Sequence, residues 1–218
     1  MVRGAGTAGT VAVDKVRRKL DAEDWAITIV DQDDVHLYQP GLLLLPFGVY
    51  TPEELVKPRT RFIPDGVELV LGAIDRVDAA ANEVHLADGS VLGYDYLVIA
   101  TGTSPRPDQT PGMDGDHWRS SVFDFYTLDG ATALRDKLAG WEGGRPVVQV
   151  VEMPIKCPVA PLAFVFLADA YFEEKRMRDT FDIAYVTHLE RSVTKPIDHT
   201  PTGGLHRERR SAPTRRSE

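Results

Sequence analysis

The 218-residue chain is 43% hydrophobic, which is enough to bury a core in one large domain or two small ones. Lys and Arg total 25 against 33 Asp and Glu, and the net charge of −8 argues against nucleic acid as the main partner. No apolar run approaches the roughly 18 residues of a membrane span, and a single cysteine, Cys157, excludes an intrachain disulfide and fits a reducing cytoplasm.

The first predicted elements are a glycine-rich turn, a helix and a strand. Residues 4–9 read Gly-Ala-Gly-Thr-Ala-Gly, and Val11, Val13 and Val16 then recur on one side of a helix. Residues 25–30 are apolar and partly β-branched, which predicts a strand that ends at an acid, Asp31. This order is that of a βαβ dinucleotide-binding unit whose first strand is cut to two residues, which would leave the central position of the sheet unfilled.

The middle of the chain predicts several short strands. Residues 67–71, 73–77 and 83–86 alternate or cluster apolar side chains, and turn residues such as Asn82 lie between them. We interpret these segments as an antiparallel meander inserted in the nucleotide domain. The chain then returns to an apolar segment, residues 96–100, which predicts a buried strand.

The remainder predicts a second set of helices and strands. In chain order these are a loop rich in Pro, Asp and Gly over 103–121, a helix over 127–138, a strand over 147–151, a helix over 161–177 and a strand over 181–186. From about residue 200 the composition changes to Thr, Gly, Pro, Ser and Arg without an apolar period. Such a segment cannot bury enough surface to order itself.

The spacing of Gly4, Gly6 and Gly9 matches the G-x-G-x-x-G turn of dinucleotide-binding domains. The first glycine permits the tight turn, the second lets the backbone approach a pyrophosphate, and the third lets helix and strand pack closely. The helix N-terminus that follows attracts phosphate charge. Asp31 lies about 20 residues further on, where a carboxylate can accept hydrogen bonds from an adenosine ribose. The alternative is an ordinary glycine-rich turn without a ligand.

The second strand-turn-helix unit lacks such a motif. After the strand over 147–151, residues 152–158 read Glu-Met-Pro-Ile-Lys-Cys-Pro, with larger side chains where glycines would be needed. Neither the tight turn nor a close approach of the backbone to a pyrophosphate is then possible. We therefore expect no NAD(P)H site there, so that a smaller electron donor has to reach the cofactor.

Four segments resemble the sulfide:quinone oxidoreductases, which are FAD-dependent members of the pyridine nucleotide-disulfide oxidoreductase family. They are the glycine turn, residues 38–48 with Tyr-Gln-Pro-Gly at their start, residues 94–102 with Ala-Thr-Gly at their end, and residues 153–162 around Cys157. The resemblance covers about residues 3–197. It implies FAD at the glycine turn, and a two-electron transfer from sulfide or a related sulfur donor through FAD to a quinone.

The resemblance also implies a domain organisation and a set of site residues. The fold is α/β: a Rossmann-like FAD-binding domain over 1–121 with an inserted antiparallel β-meander, part of a second Rossmann-like domain over 122–197, and a disordered basic tail over 198–218. The predicted cofactor-binding residues are Gly4, Gly6, Thr7, Ala8, Gly9, Asp31, Gln39, Pro40, Ile74, Thr101 and Gly102. The six histidines show no metal-ligand spacing, so no metal site is predicted.

Cys157 is the predicted catalytic residue. It stands next to Lys156 and near a predicted helix start, and both the cation and the helix dipole favour a thiolate. A thiolate can take up sulfide sulfur as a persulfide or add to the flavin ring. The simpler alternative is a small buried side chain, which is the commonest role of a free cysteine.

The chain also departs from the family that it resembles. Members commonly use a further cysteine late in the chain, Ala163 stands where relatives often carry glutamate, and the later flavin-contacting, quinone-binding and membrane-surface segments are absent. We therefore expect a truncated, cytoplasmic protein, which would contact the inner face of the plasma membrane only through its missing part. Two other functions stay open: a type II NADH:quinone or other NAD(P)H-dependent disulfide-type oxidoreductase, and an inactive fragment without stable cofactor.

Overall fold

The computed structural model describes residues 1–153, 155–187 and 213–214, and the chain divides into two compact units. The first unit comprises Met1–Gln39 and Thr51–Ser104. The second comprises Pro40–Tyr50 and the described part of Pro105–Glu218. The predicted boundary after residue 121 therefore differs from the observed division, which assigns residues 40–50 and 105–121 to the second unit.

Side-chain packing explains this difference. Leu43 and Phe47 pack against the core of the second unit, and the ring centroids of Phe47 and Phe164 lie 4.9 Å apart. In the later segment, Arg119 forms an ion pair with Asp129, with 3.2 Å between Nη1 and Oδ2. The sequence signals a loop at both places, but it does not indicate which core the loop joins.

A parallel sheet forms the centre of the first unit. The elements of this unit are β1 (Val2–Arg3), α1 (Thr7–Arg17), β2 (Ile27–Asp31), β3 (His36–Leu37), α2 (Pro52–Leu55), β4 (Val56–Lys57), β5 (Val67–Leu71), β6 (Ile74–Asp78), β7 (Glu83–Leu86), β8 (Val91–Gly93) and β9 (Val98–Ile99). The strand order is β5-β2-β1-β9, and every pair is parallel. The two residues of β1 thus fill the central position, so the expectation that this position is empty was wrong.

Helix α1 covers one face of this sheet. Val13 of α1 is fully buried in a cluster with Val2, Ile27 and Ile29, because hydrophobic side chains stabilise the fold most where helix and sheet exclude water together. Val11, which the helical pattern placed on the same side, is 47% exposed. The buried stripe of α1 therefore includes Gly9 and Val13 but not Val11.

The predicted antiparallel meander is confirmed for β6, β7 and β8, although its membership differs from the prediction. β7 pairs antiparallel with both β6 and β8, and the meander packs its buried Val84 and Leu86 against Val30. Strand β5, predicted to belong to the meander, instead pairs in parallel with β2 and forms the outer strand of the central sheet.

Strand β9 also differs from the prediction of a buried strand over 96–100. It has two residues and lies at the edge of the sheet, where Val98 is 44% and Ile99 is 64% exposed. An apolar sequence indicates a strand that is able to be buried, but burial requires a neighbour on that side. Within the described ranges, β1 is the strand that pairs with β9.

The second unit contains part of a second α/β layer. Its elements are α3 (Leu128–Ala139), β10 (Val147–Val150), α4 (Ala160–Glu174), β11 (Ala184–Thr187) and β12 (Pro213–Thr214). β10, β11 and β12 are parallel neighbours, and α4 connects the first two as the crossover helix of a βαβ unit. Its core combines aliphatic and aromatic side chains, and the rings of Phe172 and Phe181 stack with their centroids 3.7 Å apart.

The predicted tail over 198–218 falls mostly outside the described residues. Within it the structure describes Pro213–Thr214, which pair in parallel with β11 and so are not irregular at these two positions. In the ranges that are described, no helix combines the length and the apolar character that a membrane crossing requires.

Candidate functional site

The turn between β1 and α1 requires glycine at two of its three motif positions. Gly4 has a φ of +98°, and a Cβ atom on it would overlap the carbonyl group of Ala100. A Cβ atom on Gly9 would overlap the carbonyl oxygen of Gly4 and lie 3.4 Å from Cδ1 of Ile29. Both glycines are therefore needed for the packing of the protein itself, whether or not a ligand binds.

Gly6 has different surroundings. Its backbone is extended, with φ −76° and ψ −167°, which any residue can adopt. Apart from its two chain neighbours, no described residue has an atom within 4 Å of the position of a Cβ atom. The helix that Gly6 precedes has no side-chain cap and no acidic residue in its first turn, and Thr7 and Ala8 are exposed there. The first amide groups of α1 thus lack intrahelical partners and face an open approach, as binding of a pyrophosphate requires.

Asp31 lies beside this turn, at the carboxyl end of β2. Its Oδ2 accepts a hydrogen bond of 2.6 Å from the amide of Ala5, within the turn, and its Oδ1 accepts one of 2.8 Å from the amide of Gln32. The structure therefore brings the predicted acid to the predicted glycine turn. Its carboxylate is oriented by the backbone before any ribose is present.

Arg59 is a residue of this site that the sequence interpretation missed. Its side chain is buried, and Nη2 lies 3.1 Å from Oδ1 of Asp31 and 3.0 Å from Oδ1 of Asp33. Burial alone would raise the pKa of Asp33, but hydrogen bonds from the Val35 amide and from the Arg59 guanidinium lower it below its usual value. No sequence pattern distinguishes Arg59 from Arg61, which lies two residues later and is exposed.

Of three further predicted residues, Thr101 and Gly102 lie near the glycine turn and Ile74 lies in the core. Thr101 and Gly102 follow β9 and are exposed, and the Thr101 backbone adjoins Gly4, since a Cβ atom on Gly4 would lie 2.9 Å from Cα of Thr101. Ile74 is partly buried and packs against the cluster of Val30, Val84 and Leu86. The structure thus brings Thr101 to the glycine turn, whereas the side chain of Ile74 contributes to the core.

Gln39 and Pro40 lie where the chain passes from one unit to the other. Gln39 is the last residue of the first segment of the first unit, and Pro40 is the first residue that belongs to the second unit. Both side chains are exposed. Their role near a flavin stays a prediction.

Cys157 lies in the turn before α4 of the second unit. The cysteine is exposed, so the alternative of a small buried side chain was wrong. Its carbonyl oxygen accepts hydrogen bonds from the Ala160 amide at 2.9 Å and from the Tyr126 hydroxyl at 3.4 Å. Its φ of +53° lies in the left-handed region, which costs a residue other than glycine about 1 kcal/mol. The turn therefore presents a thiol to solvent on a strained backbone.

A family model described as pyridine nucleotide-disulphide oxidoreductase matches residues 1–150. The chain belongs to this family. The prediction of the family is thereby confirmed, and so is the Rossmann-like α/β fold. Members of the family are FAD-dependent oxidoreductases.

Relatives of this chain include proteins with two kinds of electron donor in their names. The mitochondrial sulfide:quinone oxidoreductase of Mus musculus is 24% identical over 189 residues, which cover 87% of this chain and 42% of that protein. A type II NADH:quinone oxidoreductase of Staphylococcus epidermidis is 30% identical over 116 residues, covering 53% of this chain and 28% of that protein. This chain therefore spans less than half the length of these relatives.

A solved structure supports the same fold. The sulfide:quinone oxidoreductase of the hyperthermophilic bacterium Aquifex aeolicus aligns with a TM-score of 0.81 and 20% sequence identity. The alignment covers 98% of this chain and 50% of the other chain. At this identity the likeness establishes the fold of this chain and no substrate.

The second βαβ unit of this chain has no glycine between β10 and α4. β10 ends at Val150, and α4 begins with Val159 as its N-cap residue and Pro161 in its first turn. Proline within the first turn of a helix lacks one of the amide groups that a pyrophosphate would use. This turn therefore offers a pyrophosphate neither glycines nor the full set of helix amides, and the absence of an NAD(P)H site stays a prediction.

Tyr126 lies next to the turn that carries Cys157. Burial, with smaller contributions from Cys157 and Tyr185, raises the pKa of Tyr126 to about 12, so its hydroxyl stays a hydrogen-bond donor at neutral pH. Because the folded chain keeps this proton where an unfolded chain has lost it, the free energy of unfolding should fall as the pH rises from 10 toward about 12. We expect a smaller fall for Tyr126→Phe, measured by urea unfolding at pH 9.5 and at about pH 11; equal falls would contradict this.

The described residues also line a cavity outside the glycine turn, but they contain no set of side chains for a metal ion. No group of three or more His, Cys, Asp or Glu side chains in the described ranges is arranged to hold a metal ion. A cavity of about 330 Å³ lies along α1 and is lined by Thr10, Val11, Asp14, Arg61, Phe62, Ile63 and Pro64. Its lining includes neither the motif glycines nor Asp31, so this cavity is distinct from the predicted nucleotide site.

Proposed function

We propose that this chain is part of a flavoprotein that transfers two electrons from sulfide, or from a related sulfur donor, through FAD to a quinone. The observation that carries this proposal is the exposed Cys157, which stands in the turn where a nicotinamide-binding relative needs glycines. The similarity to sulfide:quinone oxidoreductases over most of this chain supports it.

The first unit fits an adenine dinucleotide. The Gly4–Gly9 turn and the free amides of α1 would hold the pyrophosphate, and Asp31 would accept a hydrogen bond from the ribose. The open space at Gly6 is what a close approach of phosphate to backbone requires. When bound, FAD would supply the two-electron chemistry, taking up two electrons and a proton and passing them to the quinone.

Cys157 would carry the sulfur chemistry. Its thiolate sulfur and the sulfur of hydrosulfide would form an S–S bond, and the two electrons and the hydrosulfide proton released would be taken up by FAD when it is bound. A persulfide would remain on Cys157. A second hydrosulfide can then remove the outer sulfur as hydrodisulfide, which restores the thiolate. An exposed thiol is required for both steps, because each donor has to reach the same sulfur atom.

A second candidate is a type II NADH:quinone oxidoreductase, which the 30% identity to the Staphylococcus epidermidis protein favours. The second unit argues against it, because its βαβ turn offers neither glycines nor the full set of helix amides for a pyrophosphate. An inactive fragment without cofactor is the third possibility. These three functions predict different visible flavin absorbance after addition of FAD, sulfide or NADH.

The test is anaerobic reduction of the 218-residue chain after incubation with FAD and removal of excess cofactor. We expect the visible flavin absorbance to bleach on addition of sulfide, faster than free FAD bleaches under the same conditions, and to persist with NADH. Bleaching by NADH alone would establish the second candidate instead. A protein that stays colourless after incubation with FAD would support the inactive fragment.

A further inference from the structure

An ion cluster around the buried Arg59 joins the carboxyl end of β2 to the segment that follows β4. Oδ1 of Asp34 accepts hydrogen bonds from the amides of Arg59 at 2.8 Å and Thr60 at 3.4 Å. The guanidinium of Arg59 returns to the same loop, where Nε donates to the carbonyl oxygen of Asp33 at 2.6 Å. Hydrogen bonds thus run from the backbone at Arg59 to the loop after β2, and from the Arg59 side chain to the same loop. Arg59 itself is 7% exposed.

The cluster fixes the orientation of the Asp31 carboxylate. Oδ2 is held by the Ala5 amide, whereas Oδ1 is held by the Gln32 amide and by Nη2 of Arg59. A carboxylate offers about four lone-pair sites to donors, so the two backbone hydrogen bonds leave about two, beside the ion pair that Arg59 makes with Oδ1. Arg59 is the side chain among these three contacts, and its removal would leave Oδ1 with the hydrogen bond from the Gln32 amide. Asp31 could then rotate.

Charge gives Arg59 a second effect at this place. Asp31, Asp33 and Asp34 put three carboxylates within four residues, beside the turn that would hold a pyrophosphate. Like charges at short range disfavour binding, and more so where water is excluded. The guanidinium contacts two of these carboxylates directly and offsets part of their charge. A lysine could supply the charge, but it could not supply the planar fork in which Nε donates to the Asp33 carbonyl oxygen while Nη2 contacts the carboxylates of Asp31 and Asp33.

We propose that Arg59 is a positioning residue that sets Asp31 to receive the adenosine ribose hydroxyls of a bound dinucleotide. This inference rests on the proposed binding of FAD at the glycine turn. It assigns Arg59 no direct contact with the ribose, so its effect on binding depends on the hydroxyls that Asp31 would recognise. A purely structural arginine would affect all adenine nucleotides equally.

The experiment compares Arg59→Met with Arg61→Met, which removes an exposed arginine from the same segment. FAD is titrated by its fluorescence, and ADP and 2′,3′-dideoxy-ADP are measured as competitors. The wild-type chain should prefer ADP by about tenfold or more, the order of one hydrogen bond to a charged group. Arg59→Met should bring this preference close to one and weaken FAD binding about tenfold, whereas Arg61→Met should change neither.

Arg59→Lys covers the case in which Arg59→Met does not fold. This variant keeps the charge and loses the fork, so it should fold and show a preference for ADP that is at least threefold smaller than that of the wild type. If the folded Arg59 variants keep the wild-type preference, the inference is overturned even if their thermal stability falls. If the wild-type chain itself binds no FAD, the proposed function fails first, so the two failures are distinguishable.

Discussion

Replacing Gly6 with alanine should leave the first unit folded and weaken FAD binding by about a hundredfold. Apart from the two chain neighbours, no described residue has an atom within 4 Å of the new methyl group, and the backbone at Gly6 is one that alanine adopts freely. We therefore expect a change of about 1 kcal/mol or less in the free energy of unfolding, chiefly from the poorer N-cap residue. The methyl group would occupy the space through which the pyrophosphate approaches the backbone.

Gly9→Ala is the matched comparison, because it also adds one methyl group to a glycine of the same turn. Here the methyl group would overlap the Gly4 carbonyl oxygen, which belongs to the backbone and cannot move aside cheaply. We expect a loss of about 3 kcal/mol or more in the free energy of unfolding, together with loss of FAD binding. Urea unfolding and FAD titration of both variants check the pair.

Gly6→Ser refines this comparison. Serine is a preferred N-cap residue, so the variant should be at least as stable as the wild type while its side chain is larger than that of alanine. Loss of FAD binding in both Gly6 variants could then not be attributed to unfolding of the first unit. Wild-type affinity in either variant would show that the ligand does not approach the backbone at this position.

The glycine turn could be predicted because its residues lie close together in sequence and each position has its own steric reason. The structure agrees at Gly4 and Gly9, where a side chain would overlap neighbouring backbone, and it leaves Gly6 open toward a ligand. The approach of Asp31 to the turn could also be predicted. A strand that ends one βα unit after the turn has to end beside it in a parallel sheet.

Arg59 could not be found in this way. Its contacts with Asp31 and Asp33 connect residues that are far apart in sequence, and the exposed Arg61 nearby is chemically identical. The choice between the two arginines depends on the path of the chain after β4, which carries no local pattern. The same limit applies to residues 40–50, whose leucines predict burial without indicating the core that buries them.

The exposure of β9 shows a related limit. Residues 96–100 have the composition of a buried strand, yet the described chain places Val98 and Ile99 at the edge of the sheet. The hydropathy of a strand indicates that the strand is able to be buried. Whether it is buried depends on the strands and helices that pack beside it. The thiol-bearing turn is the reverse case. Cys157 belongs to a residue type that is usually buried, and it is exposed because the turn before α4 projects it.

Replacing Cys157 with serine should reduce the rate of sulfide-driven flavin reduction by about a thousandfold or more. A serine hydroxyl has nearly the size of a thiol, but its oxygen is not ionised at neutral pH and cannot form the S–S bond on which the two-electron transfer depends. Because Cys157 is exposed, the variant should fold normally and take up FAD like the wild type. Stopped-flow measurement of flavin bleaching by sulfide, with FAD content determined from the visible spectrum, checks both expectations.

Two controls separate the sulfur chemistry from general damage. Dithionite should reduce the flavin of Cys157→Ser completely, because this reductant does not need a protein thiol. Lys156→Met, which removes the adjacent exposed cation, should slow the sulfide reaction by only about tenfold or less, since a surface charge contributes about 1 kcal/mol to a thiolate nearby. Unchanged reduction of Cys157→Ser by sulfide would mean that the donor reaches the flavin without the thiol. The sulfur-based function would then have no residue in this chain to carry it.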